Sequence, residues 1–189
     1  WKANTELETT RRALDAIYKN SATAASQLEF LRKTADQAGV SASSLSSSFV
    51  SFSAATKSAG IPLQTTNALF GSVTKASATL GLSTERVSLV LQALGQMASK
   101  GTVAMEELRG QLGESLPGAL SMAAKGLGLT ELQLINLVSS GKLAARDLFP
   151  ALAESLKSME GDTNTAAGSW ERFKNALELS LTNVGDSGG

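Results

Sequence analysis

Three glutamates near the middle of the chain have the types and spacing that acid–base chemistry would use. Glu106 and Glu107 are adjacent, and Glu114 follows seven residues after Glu107. Paired carboxylates hydrolyse glycosidic bonds, so this set is a candidate for a sugar-cleaving site. On an α-helix, however, adjacent residues point about 100° apart, and only Glu107 and Glu114 share a face. Arg109 follows Glu106 at the spacing of ordinary surface pairs. The pattern therefore predicts a solvated helix face, and no catalytic residue is assigned.

The composition excludes most other kinds of site. The 189 residues include no histidine and no cysteine, which excludes a disulfide framework, a zinc finger, a cysteine nucleophile and a Ser-His-Asp triad. The 17 basic and 17 acidic side chains balance, so a general electrostatic attraction to nucleic acid or anionic lipid is not predicted. No Gly-Lys-Ser/Thr follows a strand, which argues against a phosphate-binding loop. We expect no cofactor, no metal, no small-molecule ligand and no specific nucleic acid.

Small and aliphatic side chains dominate the elements that would position any site. Alanine, serine and leucine fill 81 positions, whereas only nine residues are aromatic. A core of this kind requires closely approaching elements, and no segment alternates with period two for long enough to form a strand. We predict an all-α fold, a compact bundle of helical hairpins punctuated by glycine turns. A long N-terminal helix and a C-terminal amphipathic helix are expected to flank it.

The first predicted region, 1–38, is an N-terminal arm. Residues 5–38 contain neither proline nor glycine, and Thr5 and Glu8 match a capping box. Apolar and small residues recur every 3.5 positions over more than four heptads. We predict a single helix of about 50 Å. Two interpretations stay open: an oligomerising coiled coil, or a helix packed against the domain that follows.

The second predicted region, 39–161, begins with a repeat of 21 residues. Gly39, Gly60 and Gly81 are each followed by an aliphatic residue and then by serine or proline. We predict that each glycine ends a helix in the left-handed conformation and that the serine or proline begins the next helix. The serine-rich stretch 41–51 has the composition of a disordered segment. The helical spacing of its apolar residues nevertheless favours a helix.

A second internal repeat has an offset of 40 residues. Segments 99–116 and 139–156 are identical at 8 of 18 aligned positions. We predict two related helical hairpins within about 82–159. Arg146 of the second copy stands where the first copy has Glu106. This change of sign favours a solvated face over a paired-acid active site.

The third predicted region, 162–189, is a loop followed by a helix that leads into the rest of a longer chain. The chain begins with Trp1 and ends with two glycines, and we expect both ends to be cuts within a longer polypeptide. The helix is expected either to anchor on the domain or to present a partner surface. Its apolar stripe consists of Trp170, Phe173, Leu177, Leu181 and Val184.

One long segment carries a specific resemblance. Residues 93–119, ALGQMASKGTVAMEELRGQLGESLPGA, closely resemble the N-terminal helical domain of bacteriophage tail tape measure proteins. Shorter segments at 81–83, 137–143 and 168–177 are similar to the same family in the same order. Together they cover about residues 60–184, and the N-terminal arm carries no resemblance of its own.

The resemblance implies a structural, non-enzymatic component of a phage or prophage tail. Proteins of this family template the assembly and length of the tail tube and are implicated in genome delivery. The implied partners are the tail-tube (major tail) protein, tail assembly chaperones and tail-tip or baseplate initiator proteins, and a homo-oligomer, with a trimer favoured. The implied location is inside the tail tube of the virion, after assembly in the bacterial host cytoplasm.

The glycines and prolines of region 39–161 bear on the role of this piece. A ruler needs length, which a continuous helix supplies at roughly 1.5 Å per residue, whereas glycine and proline interrupt region 39–161 at short intervals. We therefore hypothesise a folded docking or oligomerisation module rather than the ruler itself. The alternatives are a peptidoglycan-active or membrane-active domain of the tail, or a generic helical adaptor.

Overall fold

The computed structural model describes residues 2–159, with side chains from residue 5 onward. The loop and the helix predicted after Met159, including Trp170 and Phe173, lie outside the described residues. Within 2–159 the chain is helical throughout, with one isolated β-bridge. The predicted all-α class is therefore confirmed.

The helices follow one another through short connections. In chain order they are α1 (Lys2–Tyr18), α2 (Ser21–Ala38), α3 (Ala42–Ser58), α4 (Leu63–Thr79), α5 (Thr84–Lys100), a π-helical segment (Glu106–Leu112), α6 (Gly113–Ser115), α7 (Ala119–Leu127), α8 (Glu131–Ser139) and α9 (Ala145–Ser158).

The single N-terminal helix predicted over 5–38 is wrong, because the chain turns between α1 and α2. Lys19 has a φ of 54°, and the Asn20 side chain accepts a hydrogen bond of 2.9 Å from the Thr23 backbone N–H, which caps α2. The capping box predicted at Thr5 is also wrong, since Thr5 lies inside α1. The side-chain cap at Asn20 thus begins a second helix at a point where the heptad spacing predicted that the first helix would continue.

The apolar stripe of this arm is buried within the chain. Both α1 and α2 contact α3, and α2 also contacts α4. Leu14, Ala24 and Leu31 are fully buried and belong to one hydrophobic core with the rest of the described helices. Of the two interpretations left open, the structure has the helices packed on the domain. The stripe is not presented for an oligomerising coiled coil.

Replacing Lys19 with glycine tests the turn between α1 and α2. We expect Lys19→Gly to raise the free energy of unfolding by about 0.5–1 kcal/mol, because glycine adopts positive φ without steric cost. Urea denaturation of the variant and the parent chain measures the change. In a continuous helix the same substitution would instead cost about 1 kcal/mol. Lys19→Ala is the control: it retains a Cβ and should not stabilise the turn.

The repeated glycine turns are confirmed. Gly39, Gly60 and Gly81 have φ values of 73°, 72° and 70°. In the first turn the Gly39 N–H bonds to the carbonyl of Asp36, and the Val40 N–H bonds back to the carbonyl of Ala35. This is the Schellman arrangement, which satisfies the last carbonyls of a helix. The serine-rich stretch is helical, and Ser41 and Ser83 accept capping bonds at the starts of α3 and α5.

The two most extensive helix contacts among the described residues are those of α3 with α5 and of α4 with α9. Helices α3 and α5 run in the same direction, because Ser48 hydrogen-bonds to Ser88 at 2.8 Å and Ala55 lies beside Gly95 seven residues later in both helices. Helix α9 packs chiefly against α4 and α7 rather than against its sequence neighbour α8. Of the two related helical hairpins predicted within about 82–159, the second is therefore wrong, because α8 and α9 do not pack chiefly against each other.

The two copies of the 40-residue repeat meet at their equivalent turns. The Val103 N–H donates to the Leu143 carbonyl at 2.9 Å, and the Ala145 N–H donates to the Gly101 carbonyl at 2.9 Å. Val103 and Leu143 occupy matching positions of the repeat. These two bonds flank an antiparallel bridge between Thr102 and Ala144, so the two turns lie side by side, and beyond them the first copy continues as a π-helix and the second as α9.

Candidate functional site

The three glutamates singled out by their spacing lie in different environments. Glu106 and Glu114 are exposed, as a solvated helix face predicts. Glu107 is buried, with 1% of its surface exposed. The predicted solvated face is therefore wrong for Glu107, and the structure does not bring the three carboxylates together on one surface.

The π-helical segment Glu106–Leu112 accounts for the burial of Glu107. Its hydrogen bonds run from residue i to i+5, so the angular positions drift from those of an α-helix and Glu107 no longer shares a face with Glu114. Leu108 and Leu112 remain fully buried. Gly110 lies inside the segment, and glycine weakens a regular α-helix. That glycine is a sequence signal that the expectation of a regular helix did not use.

Glu107 forms an ion pair with the last residue of α5. Its Oε1 accepts a hydrogen bond from the Nζ of Lys100, whose side chain is 56% exposed. The hydrogen bond that Lys100 Nζ donates to Glu107 raises the pKa of Lys100 above its ordinary value. Desolvation lowers this pKa, and the negative charges of Glu107 and Glu106 raise it further. The other carboxylate oxygen, Oε2, is buried and has no hydrogen-bond partner among the described residues.

The ion pair lies in a groove between α3, α5 and the π-helical segment, which we call the α3–α5 groove. Its volume is about 700 Å³. Small hydroxyl side chains and glutamines line the two helices, and Phe52 and Leu91 contribute apolar surface. The polar lining includes Ser47, Ser51, Ser99, Gln92, Gln96 and Gln111.

This arrangement suits binding rather than hydrolysis. Glycoside hydrolysis requires two carboxyl groups facing each other across the substrate, whereas Glu107 is bonded to Lys100 and Glu106 is exposed on the same short segment. Across residues 2–159, no cluster of three or more acidic side chains could hold a metal ion. Among the described residues, Glu107 is instead the buried partner of Lys100 in an ion pair.

Within the described part of the chain, none of the helices is long and apolar enough to cross a membrane.

Comparison with known proteins gives a family match and a similar curated protein. A family model described as tape measure protein matches residues 2–186. The probable tape measure protein of Salmonella phage Felix O1 (isolate Felix O1-VT1) is 42% identical over 76 residues, which is 40% of this chain and 10% of that relative. The matched part of the chain thus spans about a tenth of the curated relative. No solved structure gives a significant match.

Proposed function

The chain belongs to the tape measure protein family, and from this premise we propose that residues 2–159 form a folded docking or oligomerisation module rather than the measuring segment. Proteins of this family are structural components of phage tails, and the resemblance found in residues 93–119 is confirmed. The exposed positions of Glu106 and Glu114 and the ion pair of the buried Glu107 with Lys100 give no support to the peptidoglycan-active alternative.

The observation that supports the proposal is the short distance that the described residues span. The longest helix, α2, has 18 residues and is about 27 Å long at 1.5 Å per residue. A single helix of residues 2–159 would reach about 240 Å. A folded domain of this size instead has a radius of gyration of about 15 Å. Residues 2–159 therefore fold around a core and span a much shorter distance than a continuous helix of the same residues would.

The proposed module has several tasks that its surfaces can serve. We propose that it docks to the tail-tip or baseplate initiator proteins and contacts the tail-tube protein and tail assembly chaperones. A trimer is the favoured assembly. Because the stripe of α1 and α2 is buried within one chain, oligomerisation would use other surfaces. A role in genome delivery also belongs to this proposal.

Deleting the module from the full-length protein tests whether it measures length. Removing residues 2–159 deletes the whole described bundle, so no apolar face is left without its partner. We expect few or no complete tails in electron micrographs of phage particles. The matched control deletes 158 residues from a long uninterrupted helical stretch elsewhere in the full-length protein, and it should give complete tails that are shorter by about 240 Å.

The opposite result would identify residues 2–159 as part of the ruler. In that case the first deletion would give normal numbers of complete tails, shortened in proportion to the residues removed.

A further inference from the structure

We infer that the π-helical segment Glu106–Leu112 is a two-state element whose second state is an α-helix, and that Lys100 and Arg109 hold it in the π-helical state. The second copy of the 40-residue repeat, which forms α9, shows the geometry of the second state. This inference concerns the conformation of the chain and does not depend on the proposed function.

The two copies of the repeat bury the same leucines. Leu108 and Leu112 of the π-helical segment are fully buried. The aligned residues of α9, Leu148 and Leu152, are fully buried as well. One spacing of leucines is thus compatible with both kinds of helix, so the hydrophobic pattern alone does not select the π-helix.

The copies differ in the burial of the residues on either side of the first leucine. Glu107 is buried and Arg109 is exposed. In the second copy the aligned Asp147 is exposed and Phe149 is fully buried. The π-helix therefore differs from α9 by a rotation that turns the carboxylate inward and the guanidinium outward. In an α-helical state, Glu107 would be exposed and Arg109 would take the position of a buried phenylalanine.

Lys100 supplies the positive charge that allows Glu107 to be buried. Its Nζ donates a hydrogen bond to Oε1 of Glu107. In the second copy the uncharged Ser140 stands at the position of Lys100, and its hydroxyl donates to the Leu137 carbonyl at 2.8 Å. A buried charge that loses its partner is strongly destabilising. A chain without Lys100 is therefore stabilised by turning Glu107 outward, as in the α-helical state.

Arg109 disfavours the α-helical state directly. Arginine is almost never fully buried unless it is paired, whereas the α-helical state would place Arg109 where α9 has Phe149. Lys100 thus favours the π-helical state and Arg109 disfavours its alternative. The second copy has neither charge at these positions, and it is α-helical.

Gly113, at the end of the segment, agrees with this assignment. Its N–H is shared by the carbonyls of Leu108 and Gly110, five and three residues earlier, whereas an α-helix uses the carbonyl four residues earlier. A Cβ on Gly113 would lie 3.3 Å from the Leu108 carbonyl oxygen, which is a tight contact. The aligned residue of α9 is Ala153. The π-helical state therefore favours a glycine that the α-helical state does not require.

The two states differ in the charges that they present to solvent. The α-helical state exposes the carboxylate of Glu107 and withdraws the guanidinium of Arg109. The Lys100 side chain is 56% exposed. The conformation of the segment is thus coupled to a charged residue that lies at the surface of the α3–α5 groove.

Replacing Lys100 and Arg109 with the residues of the second copy tests the inference in the 189-residue chain. In Lys100→Ser/Arg109→Phe we expect the Gly113 N–H to bond to the carbonyl of residue 109 instead of that of Leu108. Scalar couplings across hydrogen bonds, measured by NMR on deuterated protein, identify the accepting carbonyl, and circular dichroism checks that the variant is folded. The matched control, Lys100→Arg/Arg109→Lys, retains both charges and should keep the bond to Leu108.

A Leu108 acceptor in both double variants would overturn the inference, because the two charges would then have no part in selecting the state. A change of acceptor in the charge-retaining control would overturn it as well. If Lys100→Ser/Arg109→Phe does not fold, Lys100→Ser alone decides by the same measurement. We expect this variant to show a second set of signals for residues 106–113 with the bond to residue 109, and a single set with the Leu108 acceptor would contradict the inference.

Discussion

Replacing Phe49 with alanine is expected to lower the free energy of unfolding by about 3–5 kcal/mol. Phe49 is fully buried on α3, and its ring centre lies 4.7 Å from that of Phe70 on α4 and 6.0 Å from that of Phe30 on α2. The substitution removes the ring that touches both neighbours and leaves a cavity between three helices. Urea denaturation followed by circular dichroism measures the loss.

Leu89→Ala on α5 is the control for Phe49→Ala. The Leu89 side chain is 51% exposed, so its truncation should change the free energy of unfolding by no more than about 0.5–1 kcal/mol. If Phe49→Ala cost as little as Leu89→Ala, the three rings would not pack as described. A single unfolding transition is also expected, because the aromatic contacts join the N-terminal hairpin to the rest of the core.

Replacing Gly126 with alanine is the second substitution expected to be strongly destabilising. A Cβ at this position of α7 would lie 2.2 Å from the carbonyl oxygen and 2.7 Å from the carbonyl carbon of Ala151 on α9. Both atoms belong to the backbone, which cannot rotate away as a flexible side chain can. Helices α7 and α9 would have to separate, and we expect a loss of about 3 kcal/mol in the free energy of unfolding, at the upper end for overpacked cores.

Gly110→Ala provides a matched comparison for Gly126→Ala. A Cβ at Gly110, in the π-helical segment, would meet no atom within 4 Å. Since alanine favours helices over glycine by about 1 kcal/mol, this variant should be neutral or slightly more stable. Thermal and urea denaturation of both variants separate the clash from the change in helix propensity. A similar small effect of both substitutions would contradict the close approach of α7 and α9.

The predictions that succeeded rest on local rules. A left-handed glycine followed by a capping serine is decided within about six residues, which is why the turns at Gly39 and Gly81 could be placed correctly. The all-α class follows from the composition and from helical spacing. Family membership was predicted from the long motif at 93–119, because the order of residues in this motif is specific.

The predictions that failed concern which elements pack together and where the helical periodicity changes. Heptad spacing predicted one helix over 5–38, but it cannot say whether a stripe is covered by another chain or by the same chain folding back at Lys19 and Asn20. The solvated face predicted for Glu107 assumed α-helical periodicity. The π-helical segment changes that periodicity and turns the carboxylate inward, towards Lys100.

By itself, the sequence determined the helical class, the glycine turns, the family and the lack of histidine and cysteine chemistry. Each of these depends on residue types and short spacings. Only the tertiary structure decided that the arm is a hairpin on the same core, that the two copies of the repeat meet at Val103 and Leu143, and that Glu107 lies buried in a groove. These features depend on burial between segments distant in sequence, where many weak contacts compete and local preference does not select the partner.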